Sequence, residues 1–173
     1  MQLTGGFYII KSLVIEFKFM VTSVHLVFGA AVGVVLKNPA LVVPVAFCTH
    51  YLLDAVPHYA PKPVKGFKEG GFSGTNWLDL SLKAVEPVLG IMLIALLCFN
   101  LETKLKLPLI LGAVFGWLPD FLVFLEWKFG IKRPNPFRWF EVKTHKHTGG
   151  LRGILPQVMV FGLSLATVLS MAG

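Results

Sequence analysis

Three ionisable residues recur at four-residue spacing in His50-x3-Asp54-x3-His58. On a helix, positions four apart lie one above the other on the same face, so this pattern predicts a polar stripe roughly 12 Å long. Imidazole nitrogens and carboxylate oxygens are ligands for divalent metals, at about 2.0–2.2 Å in the case of zinc. That reach is too short for His50 and His58 to share one ion on a straight helix. Either Asp54 bridges two ions, one beside each histidine, or Pro57 ends the helix near Val56 and His58 folds back. The competing reading is structural: histidines at a helix end satisfied by core or interfacial hydrogen bonds.

Four further groups could join this chemistry. His25 stands alone in the first apolar run. Asp120 follows Trp117-Leu118-Pro119 and reads either as a ligand carboxylate or as the cap of a helix restarted after the proline. His145-Lys146-His147 lies in a basic segment, and either is solvated or folds under the helices to complete a metal site. Asp79, Lys83 and Glu86 fall at i, i+4 and i+7, on one helix face. One reading is an Asp79–Lys83 pair beside a neutral Glu86. The other makes Asp79 a ligand or catalytic carboxylate and Glu86 a general base.

The elements that must position these groups are five apolar runs, over 21–36, 40–56, 77–99, 107–129 and 154–171. The expected fold is all-α, an integral membrane bundle of about five transmembrane helices, with 20–173 as a single domain. Of the 173 residues, 55% are hydrophobic and 14% charged, against roughly 25% charged in soluble domains. A water-soluble fold of this length would expose too much apolar surface. The net charge of +7 sits in segments flanking the apolar runs, which argues for topology rather than for nucleic acid as a partner. Cys48 and Cys98 lie inside apolar runs and are expected to be small core residues. Residues 1–19 mix Phe7–Ile10 and Leu13–Ile15 with Lys11, Glu16 and Lys18, without a clean cleavable signal peptide. They read as an interfacial amphipathic helix or as an extension upstream of a start at Met20. The segment from Tyr59 to Asn76 is rich in Gly, Pro and Lys and lacks a phosphate-loop pattern, so it reads as a flexible linker.

With five spans, twelve Lys and Arg fall on the side of the N-terminus and three (Lys37, Lys104 and Lys106) on the other. The positive-inside rule then predicts the cytoplasmic (inner) membrane, with the N-terminus in the cytoplasm and the C-terminus outside. Alternating spans bring every histidine and every aspartate to the cytoplasmic half. Ionisable groups at depth cost about 2.5–3.5 kcal/mol each on insertion scales, so several together call for a shared cation or a hydrated cavity.

These pieces resemble a known family. Ser23-Val24-His25, the stretch Cys48-Thr49-His50-Tyr51-Leu52-Leu53-Asp54-Ala55-Val56-Pro57-His58, Gly116-Trp117-Leu118-Pro119-Asp120 and the late histidines before Gln157 are similar to those of small prokaryotic membrane-bound, metal-dependent hydrolases. The resemblance runs from Met20 onward, which favours Met20 as the start. It implies ligand roles for His25, His50, Asp54, His58 and Asp120, and a hydrolytic activity. The chain departs from the family in having Tyr59-Ala60 where an acidic residue often follows Pro-His, and in the close spacing of His145 and His147.

The expected function is metal-dependent hydrolysis of a lipid or lipid phosphate at the cytoplasmic interface. One or two divalent ions would serve, zinc first and manganese or iron as alternatives. Membrane lipids are the expected partners. Two rivals use the same residues: a non-catalytic scaffold with a structural metal or polar network, and a metal-ion or proton transporter.

Overall fold

Apolar residues occupy every face of Val21–Leu36, so no side of that helix has reason to meet water. It accordingly lies at the centre. The computed structural model describes residues 21–58, 77–129 and 151–172, with Trp139, Lys143 and Thr148; the side chains of 77–83 and 127–129 are outside that set. The expected N-terminal extension, the linker before Trp77 and both His145 and His147 also lie outside the described residues. Within them are five helices and no strand: α1 (Val21–Leu36), α2 (Pro39–Ala55), α3 (Trp77–Asn100), α4 (Thr103–Phe129) and α5 (Leu151–Ser170). α1 packs against each of the other four, and Val27, Ala30 and Val34 are wholly buried on it.

The turn from α1 to α2 takes two residues. Lys37 adopts the left-handed conformation (φ 58°), and its N–H donates to the Gly33 carbonyl at 2.9 Å, closing the end of α1. Asn38 then caps α2: its side-chain oxygen accepts from the Ala40 N–H at 3.0 Å, with Pro39 in the first helical turn. A left-handed residue with a Cβ costs about 1–2 kcal/mol. Lys37→Gly is therefore expected to stabilise the protein by about 1 kcal/mol, and Asn38→Ala to destabilise it by a similar amount. Thermal unfolding in detergent checks both signs.

α1 and α4 cross with their backbones in contact. Each carries glycines four apart, Gly29 and Gly33 on α1 and Gly112 and Gly116 on α4. A Cβ on Gly33 would stand 2.7 Å from the Pro108 carbonyl carbon, and one on Gly112 would stand 2.9 Å from that of Gly29. A Cβ on Gly116 would meet the His25 carbonyl oxygen at 2.8 Å. Small residues at such spacing let helix backbones approach where lipid offers no hydrophobic drive to association. Pro119 does not interrupt α4, so Asp120 sits inside a continuous helix, and the alternative reading of Asp120 as a cap does not hold.

Two helical stretches, Thr103–Glu126 and Leu151–Ser170, are long and apolar enough to cross a membrane. The stretches Thr22–Leu36, Pro39–Ala55 and Ala84–Asn100 are apolar but shorter. Large apolar side chains cover the outside, among them Met92, Leu96 and Phe99 on α3 and Leu155 and Leu163 on α5. Cys98 is half-buried, but Cys48 is exposed on the outer face of α2, contrary to the core position expected for it. An apolar run does not distinguish the inner face of a helix from its outer face when both are apolar.

Candidate metal centre

The buried face of α2 is a four-residue stripe, Val42, Ala46, His50 and Asp54. Its first half packs as core, and its second half brings an imidazole and a carboxylate to the same depth. His25, in the second turn of α1, meets them there. His25 Nε2 lies 3.3 Å from Asp54 Oδ1, and His50 Nε2 lies 3.3 Å from Asp54 Oδ2. The two imidazole rings stack 4.1 Å apart at 32°. Asp120 of α4 approaches from the third side, with its Oδ1 3.7 Å from His50 Nε2. His25, His50 and Asp54 are buried, whereas the Asp120 side chain is 28% exposed and forms the accessible edge.

The protonation pattern of His50 decides what this arrangement can do. Its Nδ1 is 2.9 Å from the Gly116 carbonyl oxygen, which can only accept, so Nδ1 carries the proton. In the neutral ring, Nε2 then presents a lone pair, and it faces the carboxylates of Asp54 and Asp120. A lone pair opposed by two anionic groups in a buried site requires a cation between them, either a proton or a metal ion. A backbone carbonyl holding the far nitrogen of a histidine is the usual outer-shell arrangement of a metal-binding imidazole.

Comparison with known protein families, curated proteins and solved structures finds no match to this chain.

The donor set itself fits a divalent ion. One atom each from His25, His50 and Asp54 can be chosen so that all lie within 4.8 Å of one another. Ligands about 2.0–2.2 Å from a tetrahedral ion stand roughly 3.3–3.6 Å from each other, the range in which the two Nε2–Asp54 distances of 3.3 Å fall. Asp120 Oδ2 and His25 Nδ1 are buried with no hydrogen-bond partner among the described residues. Two nitrogens with two carboxylates suit zinc, manganese or iron(II) better than calcium or magnesium.

The other expected residues divide. α2 ends at Ala55 before Pro57, and His58 turns back so that its Nδ1 donates to the Val56 carbonyl at 2.9 Å. His58 is buried and shares a cavity with His25 and Gln157 of α5, rather than joining the three-residue group. That cavity offers about 20 Å³ to the centre of a water, room for one molecule. The Thr148 N–H donates to the His58 carbonyl at 2.9 Å, which anchors the chain just after His147 at this end. The Asp79 side chain, like His145 and His147, lies outside the described residues.

Glu86 is buried, and its contacts run to the start of α1. Its Oε1 accepts from the Ser23 N–H, one of the free amides in the first turn of α1, while the Ser23 hydroxyl donates to the Glu86 carbonyl at 3.3 Å. A carboxylate at a helix N-terminus satisfies an orphan donor and complements the helix dipole. Glu86 thereby fixes α1 two residues before His25. Glu86→Ala is expected to cost about 1–3 kcal/mol by leaving a buried N–H unpaired. Glu86→Gln, which keeps an acceptor, is expected to restore both stability and metal affinity; loss of turnover alone in that variant would mark Glu86 as a general base.

The sequence reading did not single out Gly116 or Gln157 as functional. The paired G-x3-G spacings were a legible signal for the first. Gln157, a lone polar residue in an apolar helix, carried the weaker signal of its type.

Proposed function

We propose that this protein is a membrane-embedded, metal-dependent hydrolase of a lipid ester or lipid phosphate. The observation that carries the reading is the buried convergence of one donor atom each from His25, His50 and Asp54 within 4.8 Å of one another. His25, His50 and Asp54 would hold the ion, with Asp120 at the accessible edge. A divalent ion there supplies a Lewis acid and lowers the pKa of a bound water toward about 7. Asp120, the only partly exposed member, is placed to accept a proton from an approaching water or to steer the substrate. Catalytic sites keep such an open edge, whereas structural zinc sites are closed on all four sides.

The bilayer reading extends to all five helices, with the short α1 and α2 spanning a locally thinned region. It is supported by the apolar exterior and by the antiparallel order, which gathers the polar groups at one end. In the sequence between α4 and α5, the Lys143 ammonium lies 4.4 Å from the centre of the exposed Trp139 ring. Cations beside aromatic rings suit the headgroup level of a membrane. The positive-inside bias assigns this end to the cytoplasm. Transport is less well supported. Beyond the site the core is filled by Val27, Ala30, Val34, Leu97, Leu105 and Leu109, and the hydroxyl of the buried Ser164 is spent on the Val160 carbonyl of its own helix.

The test is elemental analysis of detergent-purified protein, followed by hydrolysis assays on lipid phosphates and lipid esters with and without chelator. One or two equivalents of a transition metal and chelator-sensitive turnover are expected. Stoichiometric metal with no hydrolysis of any lipid would favour the scaffold reading instead.

A further inference from the structure

A long groove runs between α3 and α4, from the end of the bundle remote from the metal centre towards that centre. On α4 it is lined by Lys106, Ile110, Ala113 and Trp117, at i, i+4, i+7 and i+11, and on α3 by Ile91 and Cys98 among others. These spacings keep one face of each helix toward the groove. Its volume is about 500 Å³, and among the described residues that line it Lys106 alone is charged. The groove exists because α3 and α4 touch each other little; both are held by α1 instead.

We propose that this groove binds one anionic phospholipid of the leaflet opposite the metal centre, with its phosphate at Lys106 and an acyl chain running to Trp117. This rests on the membrane reading above but not on the hydrolase reading. Two features select the occupant. Eleven residues of helix separate Lys106 from Trp117, about 16 Å, close to the roughly 15 Å of hydrocarbon in one leaflet. The walls are apolar along that length and the cation stands at one end, matching a lipid tail and its headgroup.

Lys106 is also free to take the charge. At this end Glu102 is paired with Lys104 at 2.6 Å, whereas Lys106 meets no carboxylate among the described residues. The inner end of the groove stops at Trp117, next to Gly116, whose carbonyl holds His50. A lipid tail there would wall the metal centre from below.

Trp117 serves as the reporter. Wild type and Trp117→Phe are reconstituted in vesicles of phosphatidylcholine doped with phosphatidylglycerol or phosphatidylcholine brominated near the methyl end of the chain. The difference between the two proteins isolates quenching at Trp117. Half-quenching is expected at about fivefold less brominated phosphatidylglycerol than phosphatidylcholine, the equivalent of roughly 1 kcal/mol for one lysine. Lys106→Gln should erase that preference, and Asp54→Ala should leave it intact. Headgroup-blind quenching would mean ordinary boundary lipid and overturn the proposal, as would a preference that survives Lys106→Gln. Absence of quenching at Trp117 by either lipid would mean that the groove is closed or filled by protein, and overturns it too. Release of the protein from vesicles by alkaline carbonate would overturn the membrane reading along with it.

Discussion

Asp54→Ala is expected to abolish metal binding while leaving the helices folded. Asp54 contacts both His25 Nε2 and His50 Nε2, each at 3.3 Å, so its loss removes one ligand and the charge that draws a cation into the site. Loss of an outer-shell partner typically costs 10–100-fold in metal affinity, and loss of a ligand is expected to exceed about 100-fold. The readout is a thermal shift. A metal at 100 times its dissociation constant stabilises the folded state by about 2.7 kcal/mol. Wild type should therefore melt several degrees higher with zinc or manganese, and Asp54→Ala should show no such shift. His50→Ala should behave alike. Glu102→Ala is the control: this exposed carboxylate lies at the opposite end, where its Lys104 partner holds its pKa below the ordinary range. Removing it should leave both metal binding and stability essentially unchanged, as for most surface ion pairs. An undiminished shift in Asp54→Ala would remove Asp54 from the ligand set.

Gly112→Leu is expected to be the most damaging single change away from the polar cluster. The first added carbon would stand 2.9 Å from the Gly29 carbonyl carbon and 3.0 Å from the Gly33 nitrogen. Both are backbone atoms of a central helix and cannot rotate aside. Even Gly112→Ala should cost about 1–3 kcal/mol as overpacking, and the leucine should prevent the crossing. The metal site should fail with it, because His25 rides on α1 while Gly116 and Asp120 ride on α4. Gly162→Ala provides the contrast, since a Cβ there meets nothing within 4 Å. That change should be neutral or stabilising by up to about 1 kcal/mol. Circular dichroism and detergent melting of the three variants separate the outcomes. A Gly112→Leu protein that melts like wild type would show that the two helices need not touch.

The helices were legible in the sequence because an apolar run long enough to be helical has few alternatives in a chain this hydrophobic. α1 coincides with the run expected at 21–36, α2 differs from its run by a residue at each end, and α3 differs by one residue at its C-terminal end. α4 begins four residues earlier than its apolar run, at Thr103, because Lys104 and Lys106 interrupt hydropathy without interrupting backbone hydrogen bonds. The ending of α2 before Pro57 was likewise dictated locally, by a ring that restricts the residue preceding it. The types of the clustered groups were legible too, since His25, His50, Asp54 and Asp120 are ionisable groups that an apolar helix does not carry without compensation.

Which of those groups meet was decided only by tertiary structure. The i, i+4, i+8 stripe treats His50, Asp54 and His58 as equals, yet His58 leaves the helix and His25, from another helix, takes its place beside Asp54. Glu86 shares a helix face with Asp79 by spacing, but its partner is the amide of Ser23 on α1. The proton position on His50 depends on Gly116, sixty-six residues away, through a carbonyl that becomes reachable only because Gly29 and Gly116 let two backbones touch. Spacing along a chain encodes faces and turns. It does not encode the crossing of two helices, which depends on how closely their surfaces can approach.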